Sequence, residues 1–388
     1  MRKKTGLLII NGKLVTDFGI RPNTAVGIRA GRITFVGDSA DDEVKNYPDI
    51  VDAKNAFISP GLMDSHTHGG AGLDFLTATE SEMDRLLRWY ATNGVTAILP
   101  TLSAGLKEDF ISACQVLSRV SKKKTPGAKI LGLHIEGPYI NKEKKGAQPY
   151  DEKNPVNVSE IDEYICFFQD AVRVMTLAPE IEGGFNLIDT LIKNHIICSV
   201  GHSNATYAEV VRAVEHGLTR STHTFNAMSQ LEHHEPGVVG AVMVCENIYA
   251  EITLDGFHVH PGAVKALLNA KGNRKIVLIT DSIQAAGLGD GEFVRPGNRH
   301  IIVKNGVARL ESGSLAGSVL TLNRAVANAI QLLDLPVDQA VNLASHNVAE
   351  SLELKDQGFI QVGCVADIII HDDNMDIAHT IVDGELVY

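Results

Sequence analysis

No membrane-targeting segment is expected from the amino-terminal residues. Their apolar run, Leu7-Leu8-Ile9-Ile10, follows Met1-Arg2-Lys3-Lys4-Thr5-Gly6. That run is far shorter than the roughly 20 residues of a membrane helix or the roughly 7–15 of a secretory core. Basic charge is scarce as well: 35 Lys and Arg stand against 47 Asp and Glu, a net charge of −12. This excludes nucleic acid as the expected partner. It leaves a small anionic substrate open, because local donors outweigh surface charge screened within about 10 Å. Paired cysteines are missing too. Cys114, Cys166, Cys198, Cys245 and Cys364 are odd in number and widely spaced, with no Cys-x-x-Cys. A disulfide framework or thiolate zinc site is thereby disfavoured, and free thiols in a reducing cytoplasm are expected.

What the chain does have is apolar residues, 44% of 388, enough for a large core. Residues 7 to 59 read as short strands broken by turns. Asn11-Gly12 and Ala30-Gly31 give hairpin signals. The last residues, Cys364 to Tyr388, read the same way, so both termini are expected to meet in one small β domain. Between them, buried strands alternate with amphipathic helices. The strands are expected at Phe57–Met63, Thr96–Pro100, Lys129–Ile135, Val172–Leu177, Ile196–Val200, Thr219–Thr222, Tyr249–Leu254 and Lys275–Thr280. Helices are expected at Ser81–Asn93, Lys107–Val120, Phe185–Asn194, Tyr207–His216 and Pro261–Asn269. Eight such units predict a (β/α)₈ TIM barrel over residues 60–349, with a small β-sandwich from 1–59 plus 350–388. A doubly wound open sheet is the alternative, but no glycine-rich phosphate fingerprint opens the first βα turn.

Barrel chemistry sits where strands end. Those positions here carry His66 and His68, Glu136, His202, His223 and Asp281. His66 and His68, two apart on an extended segment, point to the same side. Four histidines and two carboxylates suit Zn²⁺, Fe²⁺ or a related divalent ion.

Pro60-Gly61-Leu62-Met63-Asp64-Ser65-His66-Thr67-His68-Gly69 resembles the first-strand signature of the amidohydrolase superfamily. Glu136-Gly137-Pro138-Tyr139, Gly201-His202-Ser203, His223-Thr224-Phe225-Asn226-Ala227-Met228, Asp255-Gly256-Phe257-His258 and Ile279-Thr280-Asp281 resemble the N-acetylglucosamine-6-phosphate deacetylase family within it. The resemblance implies one or two divalent ions per chain, zinc or iron first, with manganese, cobalt or nickel also compatible. Glu136, His202 and His223 would hold the principal ion. His66 and His68 would hold a second, with Glu136 bridging. Asp281 would be the catalytic acid and base. Ala147, Gln148, Asn226, Ala227, His234, His258, Leu315, Ala316 and Gly317 would contact an amino sugar phosphate.

The resemblance also implies a homodimer. Its closest alternative is the galactosamine epimer as substrate. A cyclic-amide hydrolase of the dihydroorotase kind is more distant, because no lysine ends strand four at Leu177-Ala178-Pro179. A non-catalytic scaffold would be expected to have lost ligands. The chain departs from its relatives at two positions: Gln148 stands where many have histidine, and His234 where they usually have arginine. His134 and His260 are expected to be supporting or surface residues rather than ligands.

Overall fold

The computed structural model describes residues 6–103, 107–148, 161 and 171–388. Cys166 and Met1–Thr5 lie outside that range. Parallel strands cluster at the centre, buried on both faces as strands covered by helices are. They are Leu62–Thr67, Val95–Ser103, Leu133–Glu136, Val172–Leu177, Ile197–Val200, Arg220–Ser221, Tyr249–Thr253 and Ile276–Ile279, each beside the next in chain order. The third strand is preceded by a short piece, Lys129–Ile130, also paired with the second. Amphipathic helices bury one stripe, whereas Gly237–Val244 is buried along six consecutive residues, Gly237 to Val242. In Glu80–Thr92 the stripe is Met83, Leu86, Leu87, Tyr90 and Ala91, and the helix is started by a Thr79–Glu82 capping box.

The barrel closes imperfectly between strands eight and one. Met63 N donates to Ala344 O (2.8 Å) and Leu278 N to Leu343 O (2.8 Å), so a segment of the carboxyl-terminal helices wedges into the seam. At its top the two strands bond directly, Asp281 N to His66 O at 2.9 Å. This bond sets the end of strand eight against the end of strand one.

A separate, mostly antiparallel sheet gathers both termini. Its order is Glu385–Leu386, Ile377–Val382, Ile368–His371, Phe57–Pro60, Leu7–Thr16, Gly19–Arg29 and Arg32–Asp38, with Asp49–Asp52 beside Leu7–Thr16. Ile9, Leu14, Val26, Ile28, Ile33, Ile58, Ile368, Ile370 and Ile381 form its core.

Two expectations change. The single run Phe57–Met63 is two strands in two sheets. Phe57–Pro60 pairs with Ile368–His371, whereas Leu62–Thr67 enters the barrel. Gly61 makes the crossing, where a Cβ would lie 2.2 Å from Thr96 Oγ1. The Asn11-Gly12 signal does not make a hairpin. Leu7–Thr16 runs through as one strand with its register shifted between Ile9 and Gly12, and Asn11 sits at φ 57°. Pairing with Asp49–Asp52 and Phe57–Ile58 on the other edge keeps the strand continuous through the irregularity and outweighs the local turn preference. The Ala30-Gly31 hairpin forms, with φ of 50° and 76°.

Gly291–Arg295, Arg299–Lys304 and Val307–Leu310 form a three-stranded antiparallel insert after strand eight that was not anticipated.

Candidate metal centre

Strand ends bring six side chains together at the top of the barrel. Glu136 Oε1 lies 3.1 Å from His202 Nε2 and 3.0 Å from His223 Nε2, and the two imidazole nitrogens are 3.0 Å apart. On the other side, Glu136 Oε2 lies 3.2 Å from His68 Nε2. Asp281 Oδ1 is 3.3 Å from His68 Nε2 and 3.6 Å from His66 Nε2. Ligand atoms around a tetrahedral zinc ion sit about 3.3 Å apart, given bonds of about 2.0–2.1 Å. Glu136–His202–His223 and His66–His68–Asp281 are thus two compact donor groups that share the Glu136 carboxylate as neighbour.

Hydrogen bonds on the far side of the rings aim the lone pairs inward. His202 Nδ1 donates to Lys144 O (2.7 Å) and His68 Nδ1 to Thr101 O (3.0 Å). His66 Nδ1 faces Glu251 Oε2 at 3.0 Å, leaving its buried Nε2 without a hydrogen-bond partner. Imidazoles oriented this way by carbonyl or carboxylate partners are characteristic of metal ligands. The donor set fits a divalent cation.

The electrostatics agree. Burial would lower His66 and His68, but Glu136, Glu251 and Asp281 override it, raising His66 to about 10 and His68 in the same direction. Burial would raise Asp281, yet the hydrogen bond from His68 and the charges of His66 and His68 hold it at about 2. Glu136 likewise ends well below the carboxylate range. The cluster is deficient in positive charge, and protons on histidine or a metal ion would supply it.

Three of the six cluster residues carry backbone strain. His202, His223 and Asp281 have φ of 48°, 31° and 48°, the left-handed region that costs a non-glycine residue on the order of 1 kcal/mol or more.

Behind the cluster lies a buried ionic network that the sequence did not advertise. Glu251, in strand seven, accepts from Arg220 Nη2 at 2.7 Å and from the His223 backbone N–H at 3.2 Å. Arg220, fully buried, also donates to Ser65 Oγ at 2.8 Å and to Ser351 Oγ. His134 donates or accepts between Thr101 and Thr176 (3.3 and 2.7 Å), and burial lowers it to about 3, so it stays neutral. Arg220→Met should cost about 3–5 kcal/mol, because Glu251 is then buried without its guanidinium. A denaturant midpoint unchanged from wild type would contradict this.

Above the cluster opens a cleft of about 300 Å³. Of the expected residues, His68, Glu136, Ala147, Gln148, His202, His223, Asn226, Ala227, His258, Asp281, Leu315 and Gly317 line it. His66 lies beneath its floor, fully buried. Ala316 is buried in the core of the insert, with its N–H on Ala308 O at 3.1 Å. His234 is exposed, its ring tilted 40° against that of His233 outside the lining. Gln148 Nε2 sits 3.4 Å from His202 Nε2. His258 Nδ1 pairs with Asp255 at 2.6 Å. His260 caps the helix Pro261–Lys271, accepting from Gly262 N. The lining also includes Ser103, Glu143, Lys144, Arg295, Arg299 and Ser314, which sequence reading passed over. The Pro296-Gly297-Asn298 turn between Arg295 and Arg299 is the sequence signal that could have placed them on one hairpin.

Among the described residues no helix is long and apolar enough to cross a membrane. A model of the amidohydrolase family matches residues 57–387. The chain is 35% identical to the N-acetylglucosamine-6-phosphate deacetylase of Vibrio furnissii, over 89% of this chain and 86% of that protein. It is 32% identical to the N-acetylgalactosamine-6-phosphate deacetylase of Escherichia coli O157:H7, over 90% and 93%. A mutant N-acetyl-D-glucosamine-6-phosphate deacetylase from Mycobacterium smegmatis, solved with N-acetyl-D-glucosamine-6-phosphate, superposes with a TM-score of 0.91 at 28% identity, covering 99% of both chains.

Proposed function

We propose, since the chain belongs to the amidohydrolase family, that it is a metal-dependent deacetylase of N-acetylglucosamine 6-phosphate. Water adds across the amide, the C–N bond breaks, and acetate and glucosamine 6-phosphate leave. The observation that carries this is the donor cluster, two histidine–carboxylate groups sharing Glu136, with Asp281 opening onto the cleft.

In this reading Glu136, His202 and His223 hold one divalent ion, and His66 and His68 hold a second beside Asp281. The donors suit zinc or iron. When bound, such an ion supplies Lewis acidity, lowering the pKa of water towards about 7 and polarising the carbonyl. Asp281, a carboxylate at neutral pH, takes the proton of the attacking water at Oδ and returns it to the departing amine nitrogen. Gln148 donates from Nε2 towards the amide oxygen. The Asn226 and Ala227 backbone, with His258, positions the sugar phosphate. Free thiols among the described cysteines agree with a cytoplasmic setting. A homodimer, expected from the family resemblance, would show as twice the 41.8 kDa chain mass.

Acetate release from N-acetylglucosamine and N-acetylgalactosamine, each with and without the 6-phosphate, tests the substrate. The glucosamine phosphate should be fastest; equal rates without phosphate would overturn the assignment. The galactosamine epimer is the second reading, favoured by the Escherichia coli relative. Replacing His66 and His68 together with alanine should remove one ion per chain and leave one. An unchanged metal count would exclude a second site there.

A further inference from the structure

Two arginines line the cleft without a role in the steps described above. In the insert, Gly291–Arg295 and Arg299–Lys304 pair antiparallel with Arg295 directly opposite Arg299. Directly opposed residues share a sheet face with Cβ atoms about 4.5–5.5 Å apart, and like charges there repel. Both arginines line the cleft. Arg295 is 6% exposed, and its Nε is buried with no hydrogen-bond partner. Among the described residues, the one carboxylate within ion-pair distance of it is Asp74, at 3.6 Å, whose Oδ2 is itself without a hydrogen bond. Arg220 shows the contrast: a structural arginine in this molecule meets its carboxylate at 2.7 Å.

Arg299 is held in place but not neutralised. Its Nε donates to Pro296 O (3.1 Å) and its Nη1 to Ala147 O (2.9 Å), beside Gln148. Burial and the charge of Arg295 lower it to about 10, still a cation at neutral pH. Two guanidiniums line one cleft, and the carboxylate in ion-pair range of Arg295, Asp74, meets it only at 3.6 Å, so both retain N–H donors for an anion. No other arginine among the described residues lines the cleft, and His234 lies outside it.

We propose that Arg295 and Arg299 form an anion subsite that grips a negatively charged group of the substrate whose amide lies over Glu136 and Asp281. This rests on the deacetylase reading. The anion has two possible sources, the phosphate ester on the sugar or a carboxylate carried by the acyl group. Guanidinium pairs serve either.

The test uses metal-loaded protein and the variants Arg295→Met, Arg299→Met and Arg295→Lys. Calorimetric titration with inorganic phosphate and with succinate reads the subsite without turnover. Both methionine variants should weaken one of these anions at least about tenfold, the loss expected for a charge-assisted contact, and Arg295→Lys should restore part of it. Kinetics then identify the source. If it is the phosphate, KM for N-acetylglucosamine 6-phosphate rises at least about tenfold while unphosphorylated N-acetylglucosamine is unaffected. If it is the acyl carboxylate, N-succinylglucosamine is the substrate that loses. Equal losses on all substrates, or anion binding as tight as wild type, would overturn the subsite. Should wild type release no acid from any of these amides, the deacetylase reading fails, and the titrations still decide the subsite.

Discussion

Asp281→Asn is expected to lower kcat by about 10²–10⁴-fold, the range for loss of a positioned proton-transfer group. The substitution is well suited to isolate that role. Asp281 sits at φ 48°, and asparagine tolerates the left-handed region nearly as well as aspartate does. Its backbone bonds, N–H to His66 O and C=O from Ser318 N (2.8 Å), do not depend on the side chain. The amide keeps the shape of the carboxylate but cannot take up a proton. Thermal midpoint and the ion at Glu136, His202 and His223 should therefore be retained while turnover collapses. Single-turnover acetate release within a few-fold of wild type would remove Asp281 from the proton-transfer role.

Glu136→Gln should have the larger effect on the assembled site. Oε1 faces His202 and His223 at 3.1 and 3.0 Å, and Oε2 faces His68 at 3.2 Å. An amide offers one acceptor where the carboxylate offers two, and its NH₂ would point at an imidazole lone pair. The variant should lose both ions under dialysis and fall at least about 10³-fold in kcat/KM, because metal assistance contributes several kcal/mol to such hydrolysis. Metal analysis of the dialysed variant gives the outcome directly. Two ions per chain retained would mean that Glu136 does not bridge.

The parts of this site that sequence made legible are those governed by short-range geometry. His66 and His68 are two apart on an extended segment, so their convergence followed from strand periodicity. Buried apolar runs ending in histidine or carboxylate marked the barrel strands, because parallel strands are covered on both faces. Long-range pairing was less visible. Nothing local distinguishes Glu251, one carboxylate in the run Ile248 to Leu254, from a mistake in the strand assignment. It is tolerated there because Arg220, one strand away, neutralises it. Asn11-Gly12 has the dipeptide of a turn, yet ladders on both sides keep it in a strand. Arg295 and Arg299 are opposed only once the hairpin register is known; from spacing alone they resemble a solvated loop. The course of the loop carrying His234 depends on packing that no motif encodes, and it leaves that side chain outside the cleft lining.

In the proposed reaction, hydrolysis depends on a divalent ion held by Glu136, His202 and His223. Titrating chelator-stripped protein with Zn²⁺, while following bound metal and acetate release from N-acetylglucosamine 6-phosphate together, tests it most directly. No turnover is expected in stripped protein, activity should return as ions bind, and no return is expected in Glu136→Gln. Undiminished acetate release from verified metal-free protein would contradict this dependence.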